Sequence, residues 1–176
     1  MSHLSLSLLG PFQAELDGHS VSSFESNKVR ALLVFLAVEA DKPHARQSLA
    51  GLLWPDYTGR SALNNLRSAL ANLRQAIGDR QAQPSFLIIN RDTIQFNPNS
   101  DHWLDLEYLQ DLPGQTIEQL EQAVSAYRGS FLEGFSLTDS PPGSTMLCGS
   151  GLSFISWRAA FGVSARVNQM STSNPF

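Results

Sequence analysis

An α+β fold, with a small antiparallel sheet ahead of three helices and a β-hairpin behind them, is predicted by three observations. Leu4, Leu6 and Leu8 alternate with serines, and turn signals follow at Gly10-Pro11 and Asp17-Gly18. From Ser26 the apolar spacing changes to the helical period and holds, with breaks, as far as Gly78. Residues 86–96, "FLIINRDTIQF", then return to two short apolar runs about a polar centre.

The elements follow in order. "LSLSLL" reads as a first strand, "FQAELDG" as a second, and a short third strand around residues 19–22 follows the Asp17-Gly18 turn. The first helix starts at Ser26, whose hydroxyl suits the orphan amides of the first turn. Val29, Leu32, Leu33, Leu36 and Ala37 recur at i, i+3, i+4, i+7 and i+8, so this helix is strongly buried. After Asp41-Lys42-Pro43, "ARQSLAGLLWP" gives a short second helix with Leu49, Leu52 and Leu53 inward, stopped by Pro55, and Trp54 packs at its end. The third helix runs from about Thr58 to Gly78, a glycine suited to the left-handed position after a helix. The hairpin turns about Asn90, Arg91 and Asp92. Sheet, three helices and hairpin together predict a winged helix-turn-helix with the hairpin as its wing. Residues 97–106 read as a polar connector, with Trp103 packing a junction, and an acidic helical region follows through Ile117, Leu120, Val124 and Tyr127.

Bulk composition narrows the function. With 176 residues, 42% apolar and 16% charged, the chain has room for one domain and a smaller second piece, and no apolar run reaches membrane-span length. The N-terminus lacks the marks of a signal peptide, and a single cysteine, Cys148, forms no internal disulfide, so a cytoplasmic protein with no membrane partner is expected. The net charge of -4 is uneven: residues 1–100 hold nine Lys/Arg against eight Asp/Glu, residues 101–176 three against eight. Between Arg60 and Arg80 there are four arginines and one aspartate, so the third helix is locally cationic. His3, His19, His44 and His102 lack metal-ligand spacing, and no phosphate loop or nucleophile elbow is present. Neither a metal, a cofactor nor an enzymatic activity is expected.

The third helix carries the functional reading. Leu63, Leu66, Leu70, Leu73 and Ile77 form one stripe, which turns Ser61, Asn64, Asn65, Ser68, Asn72 and Gln75 elsewhere. Asparagine is a poor helix former, so a face rich in it calls for a reason beyond solvation. Base reading supplies one: Asn and Gln pair bidentately with adenine, Arg with guanine, and a small residue such as Ala69 leaves room for a thymine methyl. The candidate DNA-binding residues are Arg60, Asn64, Asn65, Arg67, Ser68, Asn72, Arg74 and, at the hairpin tip, Arg91. A solvated face is the competing reading of Asn64, Asn65 and Ser68, and a surface ion pair that of Arg67 and Arg74.

"LSLLGPFQAELDG", "KVRALLVFLAVEADKPHARQSLAGLLWPD" and "ALNNLRSALANLRQAIGD" closely resemble the bacterial SARP-like transcriptional activators, over residues 4 to about 139. The resemblance implies an OmpR-like winged-helix domain, of the kind found in two-component effectors, over residues 1–98. The start of a helical, tetratricopeptide-like bacterial transcriptional activation domain is implied over residues 99–139, with "LEQAVSAYRGSFLEGF" as its opening helix pair. It further implies a transcriptional activator that binds double-stranded DNA and recruits RNA polymerase. The sequence departs from the pattern at Ala45, where the family carries a helix-capping serine. It departs again in residues 140–176, an atypical Ser/Gly-rich tail, frameshifted or disordered, that supplies no version of the remaining helices. A truncated activation domain is expected. Back-translation of residues 143–157 in another frame permits a charged segment resembling the family's helix there, so a frameshift is one origin of the tail.

If one module neutralises about three or four phosphates, its salt slope is only about -3, a weak grip at physiological salt. Two copies on direct-repeat half-sites, a homodimer formed on DNA, are therefore expected. The alternatives are a winged-helix protein-interaction module without DNA binding, and a truncated competitor that binds DNA without activating.

Overall fold

The computed structural model describes residues 2–106 and 127–137. The leucine–serine alternation works as a half-buried strand should: β1 (Leu4–Ser7) buries Leu4 and Leu6 completely and leaves Ser5 and Ser7 half-buried. β2 (Gln13–Leu16) pairs antiparallel with β1 from Leu4↔Leu16 to Ser7↔Gln13, and β3 (His19–Ser20) pairs antiparallel with β2. Between them Asp17 and Gly18 take φ of 53° and 77°, the left-handed pair that a two-residue hairpin of right-handed twist requires.

Three helices follow. α1 (Asn27–Val38) begins where Ser26 Oγ accepts from Val29 N at 3.4 Å. Every residue from Ala31 to Ala37 is buried, so the helix is enclosed nearly all round, as a helix without a polar face must be. β4 (His44–Ala45) leads directly into α2 (Arg46–Leu53), which Trp54, 7% exposed, closes. Ala45 makes no side-chain cap there. α3 (Gly59–Ala76) packs against both α1 and α2. It ends at Gly78, φ +63°, where a Cβ would lie 3.1 Å from Leu16 Cδ2, so both backbone and space favour glycine. Leu66, Leu73 and Ile77 are fully buried with Leu32, Leu33 and Leu36 of α1 and Leu49 of α2 in one core, each worth about 1.5–3 kcal/mol.

β5 (Leu87–Ile89) and β6 (Thr93–Phe96) form the antiparallel hairpin expected after α3, paired from Leu87↔Phe96 to Ile89↔Ile94. β4 adds to β6 through His44↔Ile94 and Ala45↔Thr93, giving a second sheet of order β4-β6-β5 that bridges the start of α2 to the hairpin.

Residues 97–106 are not the polar connector that their composition suggests. β7 (His102–Leu104) runs parallel to β1, pairing Leu4↔His102, Ser5↔Trp103 and Leu6↔Leu104, and completes the first sheet as β3-β2-β1-β7. The polar residues have partners inside. Asp105 is fully buried: its Oδ2 accepts from Leu8 N at 2.7 Å and Leu9 N at 2.8 Å, while its Oδ1 is buried without a partner among the described residues. The first sheet thus draws a strand from beyond residue 98.

Residues 127–137 also join this body. Leu9 and Phe131 form an antiparallel bridge, Arg128 N donates to Leu9 O, and Leu132 N donates to Leu8 O, with Phe131 and Leu132 buried. This segment is bridge and turn where the family resemblance implies part of a helix pair: Leu132 and Gly134 adopt φ of 49° and 72°, which a right-handed helix excludes. Residues 107–126 and the tail from 138 onward lie outside the described residues, and with them most of the expected helix pair and the Ser/Gly-rich segment. Among the described residues no helix is long and apolar enough to cross a membrane.

Candidate nucleic-acid interface

Seen end-on, α3 divides sharply. Ala62, Leu66, Ala69, Leu70, Leu73 and Ala76 are buried, whereas Arg60, Ser61, Asn64, Arg67, Ser68, Ala71 and Gln75 are exposed. Leu63 and Asn65 are half-buried at the boundary. The leucine stripe therefore anchors the helix and presents the amide-, hydroxyl- and guanidinium-bearing side outward, as its spacing requires. Ala69 is a correction: it is 6% exposed and faces the core, so it meets no ligand, and the small residue of the exposed face is Ala71.

The N-terminal half of α3 borders two clefts. One, of about 760 Å³, lies between α2 and α3, where Arg60, Asn64 and Arg67 face Gln47, Trp54 and the half-exposed Tyr57. The other, of about 430 Å³, is framed by Arg67 from α3, Arg46 and Gln47 from α2, and Arg91 and Asp92 from the hairpin turn. Arg67 belongs to both, so Arg60, Asn64, Arg67 and Arg91 share one continuous face. Among the described residues no carboxylate lies within ion-pair distance of Arg60, Arg67 or Arg91. Arg67 Nη1 instead donates to Asn64 Oδ1 at 3.4 Å, a long bond that leaves both groups available. The first turn of α3 carries no acidic residue, and Thr58 supplies no side-chain cap, its hydroxyl donating to Ser61 Oγ at 3.2 Å. Amides at that end remain suited to an anion. Cationic clefts beside an exposed amide-rich helix can bond phosphates and base edges together.

Two of the residues singled out from sequence have other partners. Asn72 Oδ1 accepts from Glu25 N at 3.0 Å and its Nδ2 donates to Ser23 O at 3.3 Å, so the side chain fastens the loop before α1 to α3. Arg74 Nε donates to Oδ2 of the buried Asp79 at 2.8 Å. The structure thus gathers Arg60, Asn64, Arg67, Ser68 and Arg91 on the exposed side, holds Asn65 at its margin, and turns Asn72 and Arg74 toward the protein. Sequence reasoning passed over Arg46, Gln47 and Tyr57. Their signal is positional: Arg46 and Gln47 open the short second helix and Tyr57 lies in the turn between it and α3, each next to a break in the apolar pattern.

No protein-family model matches the sequence, and no curated protein matches it. Among solved structures the chain is similar to EmbR of Mycobacterium tuberculosis, in a complex with a low-affinity phosphopeptide, with a TM-score of 0.57 and 25% sequence identity. The match covers 75% of this chain and 38% of EmbR, so the chain spans well under half of that protein's length. The mixed α+β body, with its sheets and three helices, is thus compatible with a SARP-like fold.

Proposed function

We propose that the chain is a sequence-specific, DNA-binding transcriptional regulator of the SARP type, and not an enzyme. In this reading it is a winged helix-turn-helix in which α3 enters the major groove. Asn64, Ser68 and Arg67 lie against base edges, Arg60 reaches the flanking backbone, and the β5–β6 hairpin serves as a wing that brings Arg91 to the neighbouring groove. The single observation that carries it is the exposed face of α3. A leucine-anchored helix presents arginines and amides together, beside a hairpin whose tip adds another arginine. The likeness to EmbR and the sequence resemblance to SARP-like activators support the same reading.

Activation, in this proposal, comes from recruitment of RNA polymerase by the promoter-bound protein. Because a single module engages few phosphates, two copies occupy direct-repeat half-sites about one helical turn apart. Selection of bound duplexes from a random oligonucleotide pool, followed by footprinting, tests the proposal. The expected result is a repeated motif with two protected half-sites. Recovery of no enriched motif and no gel shift at low salt would refute DNA reading and leave a protein-interaction module in its place.

A further inference from the structure

Arg91 meets a nucleic acid at a lower ordering cost when the turn that carries it is held still, and the geometry shows what holds it. Arg46, the first residue of α2, donates from Nη2 to Asn90 O at 3.0 Å, while its own backbone N–H donates to Asp92 O at 2.9 Å. The carbonyls on both sides of Arg91 are therefore taken by one residue of another element. Arg46 and Arg91 line the same cleft, with Arg67 of α3 also bordering it. Hairpin-internal bonds close only the base of the turn, through Asn90 N to Thr93 O at 2.9 Å and Asn90 Nδ2 to Thr93 Oγ1 at 3.4 Å. Arg46 is half-buried, and its Nε is buried without a partner among the described residues. A guanidinium that keeps a desolvated, unbonded N–H is a costly way to cap a turn merely for stability.

We propose that Arg46 is the positioning residue for Arg91: it fixes the hairpin tip relative to α3, so that Arg91 and Arg67 engage the nucleic acid as a pair. This rests on the DNA-reading function proposed above. An arginine that worked only as a phosphate ligand would contribute independently of Arg91, whereas one that positions the tip loses its effect once the Arg91 guanidinium is gone.

The test is a double-mutant cycle on the full chain with Arg46→Met, which keeps the apolar stem, Arg91→Ala, and both together, titrating a duplex recovered from the oligonucleotide pool. Each single variant is expected to weaken binding about tenfold. Adding Arg46→Met to Arg91→Ala is expected to change affinity by less than about twofold. Multiplied losses, or full affinity in Arg46→Met alone, would overturn the proposal. Amide exchange at Asn90 gives a readout that needs no DNA: faster exchange in Arg46→Met supports the positioning role, and unchanged exchange overturns it. Should Arg46→Met not fold, Arg46→Leu, which likewise has no donor, takes its place in the cycle. A wild-type chain that binds no duplex would refute the DNA-reading function and leave the exchange measurement to decide whether Arg46 holds the tip.

Discussion

Arg74 and Asp79 hold the end of α3 to the hairpin: Arg74 Nε donates to Asp79 Oδ2 at 2.8 Å, and the other oxygen, Oδ1, accepts Leu87 N at 2.9 Å. Asp79 is only 1% exposed, so its charge is acceptable there because a guanidinium and a strand amide both meet it. Removing the guanidinium strands a buried carboxylate. Arg74→Ala is therefore expected to lower stability by about 2–3 kcal/mol in urea or thermal unfolding, with no change in the salt slope of DNA binding while the variant is folded. A slope reduced at unaltered stability would show that Arg74 meets phosphate instead.

Arg67 and Arg91 are the converse case. Both are exposed and neither is paired with a carboxylate among the described residues. Arg67→Ala is expected to relax base preference at one position of the recovered motif, and Arg91→Ala to reduce the magnitude of the salt slope by about 0.9 for each phosphate no longer neutralised, each leaving stability within about 0.5 kcal/mol of wild type. Repeat selection checks the first, and affinity measured over a range of salt concentrations the second.

Two asparagines on one helix make a matched pair. Asn72→Ala gives up two bonds to the backbone of Ser23 and Glu25 and is expected to cost about 1–2 kcal/mol of stability. Asn64→Ala, on the exposed face, is expected to leave stability unchanged and to relax base preference at one position of the recovered motif. Melting curves beside repeat selections with each variant separate the two.

Ala45 leaves α2 without a side-chain cap although its backbone, φ -65° and ψ 135°, already has the extended form that a cap adopts. Ala45→Ser is expected to stabilise the protein by about 0.5–2 kcal/mol, read as a higher urea midpoint at unchanged m-value.

Asp105 sets a pH dependence. Burial pushes its carboxyl above the ordinary carboxylate range, against the opposing pull of the Leu9 and Leu8 amides and the nearby Arg128. Because the folded state holds this proton more tightly than the unfolded chain, its contribution is fully present below the unfolded carboxyl value. It is lost as pH rises through the raised folded one. The wild type is thus expected to lose stability relative to Asp105→Asn as pH climbs across that window, in unfolding series run at stepped pH. Asp105→Ala, which leaves Leu8 and Leu9 N–H without their acceptor, is expected to cost about 2–4 kcal/mol below that window and less above it.

What could be read from the chain alone follows the range of the interactions concerned. α1, α3 and the β5–β6 hairpin were legible because periodicity and turn residues are local signals, and α3 in particular shows its buried stripe at fixed spacing. β7 was not, since its partner β1 lies almost the whole described chain away and parallel pairing leaves no turn signature between them. The site divides in the same way. Arg67 and Arg74 stand seven residues, about two turns, apart on one side of α3, and nothing in the helical pattern tells them apart. Only the left-handed turn at Gly78, which brings Asp79 back alongside, gives Arg74 a different fate.

The bridge between Leu9 and Phe131 bears on how this protein can be divided in the laboratory. A clone stopped at residue 98 would discard β7, the Asp105 carboxylate and the Phe131–Leu132 lid, baring the apolar end of β1 and the amides of Leu8 and Leu9. Such a fragment would be sticky and prone to clump, and its failure to bind an oligonucleotide would say nothing about α3.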